Sequence, residues 1–124
     1  MDSINTIIDN EKIIELRNLD SSGDGNFLTE IVDLYLSQLN TLNESIKNSC
    51  NKGNFLQASK SAHSLRGASL NIGAIALADI CKKIEQDIKD NQILRTRELI
   101  AQLEPVSKNT IAALEEIKIN EIEI

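Results

Sequence analysis

From Asn26 to Asn51 the apolar residues Phe27, Ile31, Leu34, Tyr35, Leu39, Leu42, Ile46 and Cys50 recur with a period near 3.6 residues. A stripe of that period and length fits an amphipathic helix and excludes a strand, whose apolar positions alternate. Little elsewhere in the chain opposes long helices. Pro105 is the only proline, and glycine occurs five times in 124 residues. The aromatic set is Phe27, Tyr35 and Phe55, so a core has to be assembled from Ile, Leu and Ala, a mixture suited to helix packing.

Turn signals divide the chain into five helical segments within a single domain, residues 1–124. A short first helix is expected from about Asn10 to Leu19, with Asp9 as N-cap and Ile13, Leu16 and Leu19 on one face. The run Asp20-Ser21-Ser22-Gly23-Asp24-Gly25 is a loop by composition. The second helix spans Asn26 to Asn51. Lys52-Gly53-Asn54 then reads as a tight connection, with Gly as the C′ residue and Asn as the next N-cap. The third helix, Phe55 to Asn71, has Phe55, Ala58, Ala62, Leu65 and Ser69 as its inward stripe. Ile72-Gly73 separates it from a fourth, Ala74 to Lys89, with Leu77, Ile80, Cys81, Ile84 and Ile88 inward. The fifth starts near Ile93 and carries Ile100, Leu103, Val106, Ala113, Leu114 and Ile117. Its apolar phase continues across Pro105, which predicts one kinked helix. Residues 118–124 are weakly patterned and read as a frayed tail. Short connections between long amphipathic helices imply antiparallel neighbours. The expected fold is all-α, an up-down-up-down four-helix bundle over about residues 26–117 with a short extra N-terminal helix.

The formal net charge of −6 conceals an asymmetry, because all 19 Asp and Glu residues lie outside residues 45 to 78. Lys47, Lys52, Lys60, His63 and Arg66 fall inside that stretch. An acidic shell thus surrounds a basic segment, and the exclusion of carboxylates suits a site that carries a phosphoryl group. Cys50 and Cys81 sit within apolar helical stripes, as buried thiols of a reducing compartment would. No apolar run is long enough to span a bilayer, and Met1-Asp2-Ser3-Ile4-Asn5 lacks the form of a secretory signal, so the expectation is a cytoplasmic protein away from the membrane.

The segment Ser61 to Ala74 reads S-A-H-S-L-R-G-A-S-L-N-I-G-A and contains His63, the only histidine. On a helix, His63, Arg66 and Gly67 share one face, since positions i, i+3 and i+4 stack. That face has Ser59, Lys60 and Leu70 beside it and is offset from the inward stripe. It presents a nitrogen nucleophile, a fixed positive charge and a place without a side chain. Neutral imidazole attacks through one ring nitrogen while the other keeps its proton, so an acceptor is needed to fix the tautomer. Glu85, 22 residues on along an antiparallel helix, lies about where that helix passes the histidine. Arg66 would stabilise charge spread over phosphoryl oxygens. Gly67, which costs about 1 kcal/mol against Ala inside a helix, would keep the approach of a partner open.

The same residues resemble the H-x-[LIM]-[KR]-G-[AS]-[SA] signature of histidine phosphotransfer (HPt) domains of two-component phosphorelays, including the trailing N-I-G-A. The likeness in order and spacing extends from about Phe27 to Glu85. The resemblance implies the same four-helix bundle, with His63 as phosphoryl acceptor and Arg66 at a place where many members have Lys. Glu85 stands where members often have Gln or Glu hydrogen-bonded to the other ring nitrogen. It further implies a monomeric carrier that is not itself an enzyme. Its partners would be response-regulator receiver domains, which hold the required Mg²⁺, and an upstream hybrid histidine kinase.

Other classes are disfavoured. No P-loop or kinase Gly-rich loop is present, so the chain has no means of using ATP by itself. A histidine-kinase dimerisation helix would carry Glu after the histidine and a nearby Pro, where this chain has Ser64 and Gly67-Ala68. Asp20 to Phe27 mimics the opening of an EF-hand loop, yet Ile31 occupies the place of the bidentate Glu. One histidine and two separated cysteines do not make a zinc site, and the acidic charge with few aromatics speaks against nucleic acid. No cofactor or metal is expected on this chain. The remaining alternative is a docking or inhibitory helical module that has the bundle without using the histidine.

Overall fold

The computed structural model describes residues 7–20 and 26–123, with side chains described to residue 120. The loop expected at Asp20–Gly25, the start Met1–Asn5 and the end of the tail fall wholly or partly outside those residues. Five helices make up the described architecture: α1 Asn10–Asn18, α2 Asn26–Asn51, α3 Phe55–Ile72, α4 Ile75–Lys89 and α5 Ile93–Glu123. Helices α2 to α5 pack in chain order, and α5 returns against α2 to close a four-helix bundle, while α1 leans on α2 and α3.

The local signals act as their chemistry requires. The Asp9 side chain caps α1 by accepting from the backbone N–H of Glu11 at 3.1 Å. Asn54 caps α3 by accepting from Gln57 N–H at 3.1 Å, directly after Gly53 turns the chain with φ +74°. Gly73 ends α3 with φ +84° and its N–H on the last turn. A Cβ there would stand 2.9 Å from Lys12 Cβ and 3.1 Å from the Asp9 carbonyl oxygen. Gly73 also accepts a 2.7 Å hydrogen bond from Asp9 N–H. The glycine therefore serves both the left-handed turn and the seating of α1.

The core is aliphatic and continuous, running from Ile8, Ile13 and Leu16 through Val32, Leu39, Ile46, Leu65, Leu77, Ile84, Leu103 and Leu114. Several inward positions differ from the expected stripes. On α2 the buried set is Leu28, Val32, Tyr35, Leu39, Asn43, Ile46 and Cys50. Phe27 and Leu34 are exposed, as is Leu19 beyond α1. Apolar residues stand in adjacent pairs at the start of α2, so two stripes compete, and contact with the other helices selects the one through Leu28 and Val32. Phe55 and Ile88 are half-buried, and Asp87 is buried in the last turns of α4. Ile100, Val106 and Ile117 pack at the core margin, while Thr96, Ser107 and Thr110 are buried on α5. Thr96 and Thr110 return their hydroxyls to carbonyls four residues back, which lets polar residues enter an apolar stripe at small cost.

Two boundaries also change. Helix α4 begins at Ile75, with Ala74 as an N-cap that offers no side-chain bond. Helix α5 is continuous through Pro105 and runs to Glu123, so residues 118–123 are helical rather than frayed. Lys118 explains part of that extension, since its ammonium reaches back to Asp33 on α2 and lies 3.7 Å from Glu115. Both cysteines are free and buried. Among the described residues no helix is long and apolar enough to cross a membrane.

Candidate phosphotransfer site

His63 lies at mid-helix on α3, one position beyond the buried Ala62, with its side chain 68% exposed. The inward residues Ala58, Ser61, Ala62, Leu65, Ser69 and Ile72 fix the rotation of α3 and so turn the imidazole outward. Two polar contacts to α2 help to hold that rotation. Tyr35 Oη and Ser69 Oγ lie 2.6 Å apart, and Ser45 and Ser61 share a 2.6 Å hydroxyl contact. Burial pushes the Tyr35 phenol well above its ordinary range, so it remains a neutral hydrogen-bonding group.

Helix α4 brings Glu85 to the histidine. Its Oε1 lies 2.8 Å from His63 Nδ1, and the carboxylate is 19% exposed. An ionised carboxylate only accepts, so this contact is a hydrogen bond in the tautomer that carries the proton on Nδ1 and the lone pair on Nε2. Arg66, one turn along α3, has Nε 2.9 Å from Glu85 Oε2 and Nη2 3.1 Å from His63 Nδ1. The Arg66–Oε2 contact is a close charge pairing without the alignment of a hydrogen bond, and buried Oε2 accepts no aligned bond. Behind this group, the Cys81 thiol is pushed up to about 12 by burial, with the Glu85 charge adding to the effect.

The three residues expected to act together therefore meet, although Arg66 is not directed at solvent. Its side chain is 29% exposed and its guanidinium rests on Glu85. Exclusion of acids along the sequence does not become exclusion in space, because α4 delivers a carboxylate to the imidazole. Lys47, part of the basic segment, is likewise paired, with Glu104 at 3.2 Å and Glu44 at 3.4 Å. Those two carboxylates hold its ammonium above the ordinary range.

Gly67 is exposed, and among the described residues nothing from elsewhere in the fold lies within 4 Å of where its Cβ would stand. Internal packing thus gives no reason for this glycine. Lys60 and Leu70 are exposed on the same side and Ser59 is half-buried. Arg66 and Leu70 also border a shallow cleft with Ile75, Ala78, Asp79 and Lys82 of α4, a side of the site that the α3 pattern did not indicate. The signal for it was the polar spacing of Asp79 and Lys82 on the outer face of α4.

Residues 30–117 match the family model of the Hpt domain. This chain belongs to the Hpt domain family. The fold agrees with solved structures of that kind. Histidine-containing phosphotransfer protein B (HptB) from Pseudomonas aeruginosa PAO1 superposes with a TM-score of 0.82 at 20% identity, over 91% of this chain and 95% of that one. A rice protein assigned as a histidine-containing phosphotransfer protein gives a TM-score of 0.79 at 19% identity, over 94% and 83%. No curated protein sequence matches the chain. As an Hpt domain, the chain is a phosphorelay component, a carrier class and not an enzyme class.

Proposed function

We propose that this Hpt domain relays a phosphoryl group between receiver-domain aspartates through His63 Nε2. The observation that carries this reading is the 2.8 Å contact of His63 Nδ1 with Glu85 on an otherwise exposed imidazole. It makes the outer nitrogen the nucleophile and provides a counter-charge for the ring when that nitrogen attacks. A receiver aspartyl phosphate delivers phosphorus in line with Nε2. Arg66 swings from Glu85 to meet the equatorial oxygens. Gly67, with open space above it, admits the partner's loops, and Ser59, Lys60 and Leu70 complete the docking face.

The receiver supplies Mg²⁺, a hybrid histidine kinase charges the first receiver, and the carrier works as a cytoplasmic monomer without kinase activity of its own. The test is incubation with phosphorylated receiver domains from the same genome. Label on this chain is expected to be acid-labile, alkali-stable and confined to His63. Binding of receivers without label at His63 would instead assign the chain as a docking module.

A further inference from the structure

Ion pairs are spread unevenly over the bundle, and the lysines left without one gather near His63. Among the described residues, Lys12, Lys47, Lys83, Lys108 and Lys118 each have a carboxylate within salt-bridge reach. Lys52, Lys60, Lys82 and Lys89 have none. Lys52 stands in the α2–α3 turn, while Lys60, Lys82 and Lys89 are exposed on the two helices that build the site. The carboxylates of those helices are, by contrast, occupied. Helix α3 has no acid at all. On α4, Asp79 faces Lys83 at 2.9 Å, Glu85 faces Arg66 at 2.9 Å and Asp87 faces Arg95 at 2.6 Å. An ammonium with no carboxylate beside it lends its whole charge to the surrounding potential, whereas a paired one is largely cancelled. A chain of net charge −6 thus keeps uncancelled positive charge around its histidine.

Helical spacing sets where these ammonium groups stand. Lys60, His63 and Gly67 occupy positions i, i+3 and i+7 of α3, and Lys82, Glu85 and Lys89 repeat that spacing on α4. Each trio therefore follows one face of its helix. The 2.8 Å contact of His63 with Glu85 joins the trios at their middle members. Because the helices are antiparallel, Lys82 falls beside Arg66 and Leu70, with which it lines the α3–α4 cleft. Lys89 lies one turn the other way, at the level of Ser59 and Lys60. Uncancelled cations thus stand on both sides of the imidazole along the α3–α4 seam, about 5 Å from it in axial height.

We infer that Lys82 and Lys89 of α4, with Lys60 of α3, form a cationic frame that steers receiver domains with an acidic rim onto His63 and ranks competing receivers by that acidity. This rests on the carrier reading above and adds what selects the partner. A receiver carries carboxylates around its phosphorylated aspartate, because a hard cation such as Mg²⁺ takes oxygen ligands. Its approach face is anionic at the centre, and carboxylates at its rim fall over Lys60, Lys82 and Lys89. Other orientations set that face against the acidic remainder of this chain. Charges at a rim act on the encounter, so the frame governs association rate and salt dependence more than the lifetime of the complex. Two of its three members belong to α4, outside the segment that carries the histidine.

Stopped-flow association tests the frame, using wild type, Lys82→Glu, Lys89→Glu and the double variant against phosphorylated receivers from the same genome that differ in rim charge. Arg97→Glu is the control, because Arg97 is exposed and has no carboxylate partner among the described residues, but lies on α5 beside Lys47 and Glu104. Each α4 reversal should slow association with the most acidic receiver by about threefold to tenfold at low salt, and the double variant by more. The loss should vanish near 1 M salt, where the screening length falls to about 3 Å. The spread of rates between acidic and neutral rims should narrow in the double variant, while Arg97→Glu keeps the wild-type order and spread. Lys82→Gln and Lys89→Gln, which add no acid beside Glu85, should show the same trend at about half the logarithmic size. Equal slowing by Arg97→Glu, or α4 variants with wild-type rates and salt slope, overturns the proposal while leaving the carrier reading standing. Failure of every receiver to label His63 in wild type overturns the carrier reading and the frame with it.

Discussion

Glu85 and Asp87 stand two residues apart on α4, so they face opposite ways, and each meets an arginine. Glu85 turns to α3, where Arg66 and His63 share its two oxygens on a part-exposed surface. Asp87 turns to α5 and is 8% exposed, with Arg95 Nη2 at 2.6 Å and Nε at 3.3 Å in a bidentate grip across the α4–α5 turn. The pairs are alike as chemistry and opposite in use. Among the described residues the buried Asp87 pair has no third group, and its arginine is anchored from solvent, so it acts as a clasp. The Glu85 pair includes the histidine proposed as nucleophile and a part-exposed guanidinium, so in the proposed carrier role it acts on whatever reaches the histidine. What separates structure from function here is a titratable third partner and access.

The comparison breaks most sharply at His63. His63→Gln should abolish phosphotransfer from receivers, while the melting temperature stays within about 2 °C of wild type because an exposed side chain away from the core contributes little. Residual label in that variant would place the chemistry elsewhere. At the clasp the sign reverses. Arg95→Ala leaves a carboxylate buried without its partner and should cost about 2–4 kcal/mol, whereas Asp87→Ala frees an arginine that is 63% exposed and should cost about 1–2 kcal/mol. Urea unfolding of the two variants measures the difference, and equal losses would show that Asp87 is better solvated than its burial indicates.

Those outcomes also bear on what the sequence could disclose. The bundle, the caps at Asp9 and Asn54 and the meeting of His63 with Glu85 were readable because period, capping chemistry and a helix-length offset are local properties. The Asp87–Arg95 clasp was not, since a carboxylate next to an apolar stripe looks like an ordinary exposed charge until the α4–α5 turn brings the arginine back over it. Likewise the start of α2 offered two apolar stripes, and only packing chooses between Phe27 and Leu28. The direction of Arg66 was also hidden, because its spacing from His63 says nothing of a competing carboxylate on another helix.

A smaller effect is expected from Gly67→Gln. With none of the described residues elsewhere in the fold within 4 Å of the added Cβ, stability should hold or rise by a few tenths to about 1 kcal/mol, while receiver affinity falls about tenfold. Arg66→Ala should show the complementary pattern, with affinity retained and transfer slowed by about tenfold, as expected for one charge-assisted contact. Titration calorimetry and single-turnover transfer on the pair of variants separate docking from chemistry. Wild-type behaviour of Gly67→Gln would move the docking face away from α3.

The least conspicuous effect concerns Cys81, behind Glu85. Burial raises its thiol to about 12, so Cys81 should be inert to a thiol reagent at pH 8 in the folded chain, with label at this residue, located by peptide mapping, appearing only on unfolding. The sign follows from proton binding: the folded state holds this proton more tightly than the unfolded state. The contribution to stability is therefore complete below the ordinary thiol range and declines as pH rises through it toward about 12. Reaction of Cys81 in the native protein at the unfolded rate would show that α4 opens beside the histidine.

The place of Gly73 divides the segment around His63 between two structural demands. Its first half, through Gly67, answers to whatever docks and reacts, while the closing glycine answers to α1, whose Lys12 and Asp9 occupy the space a side chain would need. One short run of sequence thus answers to two different neighbours, and removing the leading helix would relieve only part of the demand on Gly73, because the left-handed backbone that ends α3 still favours glycine.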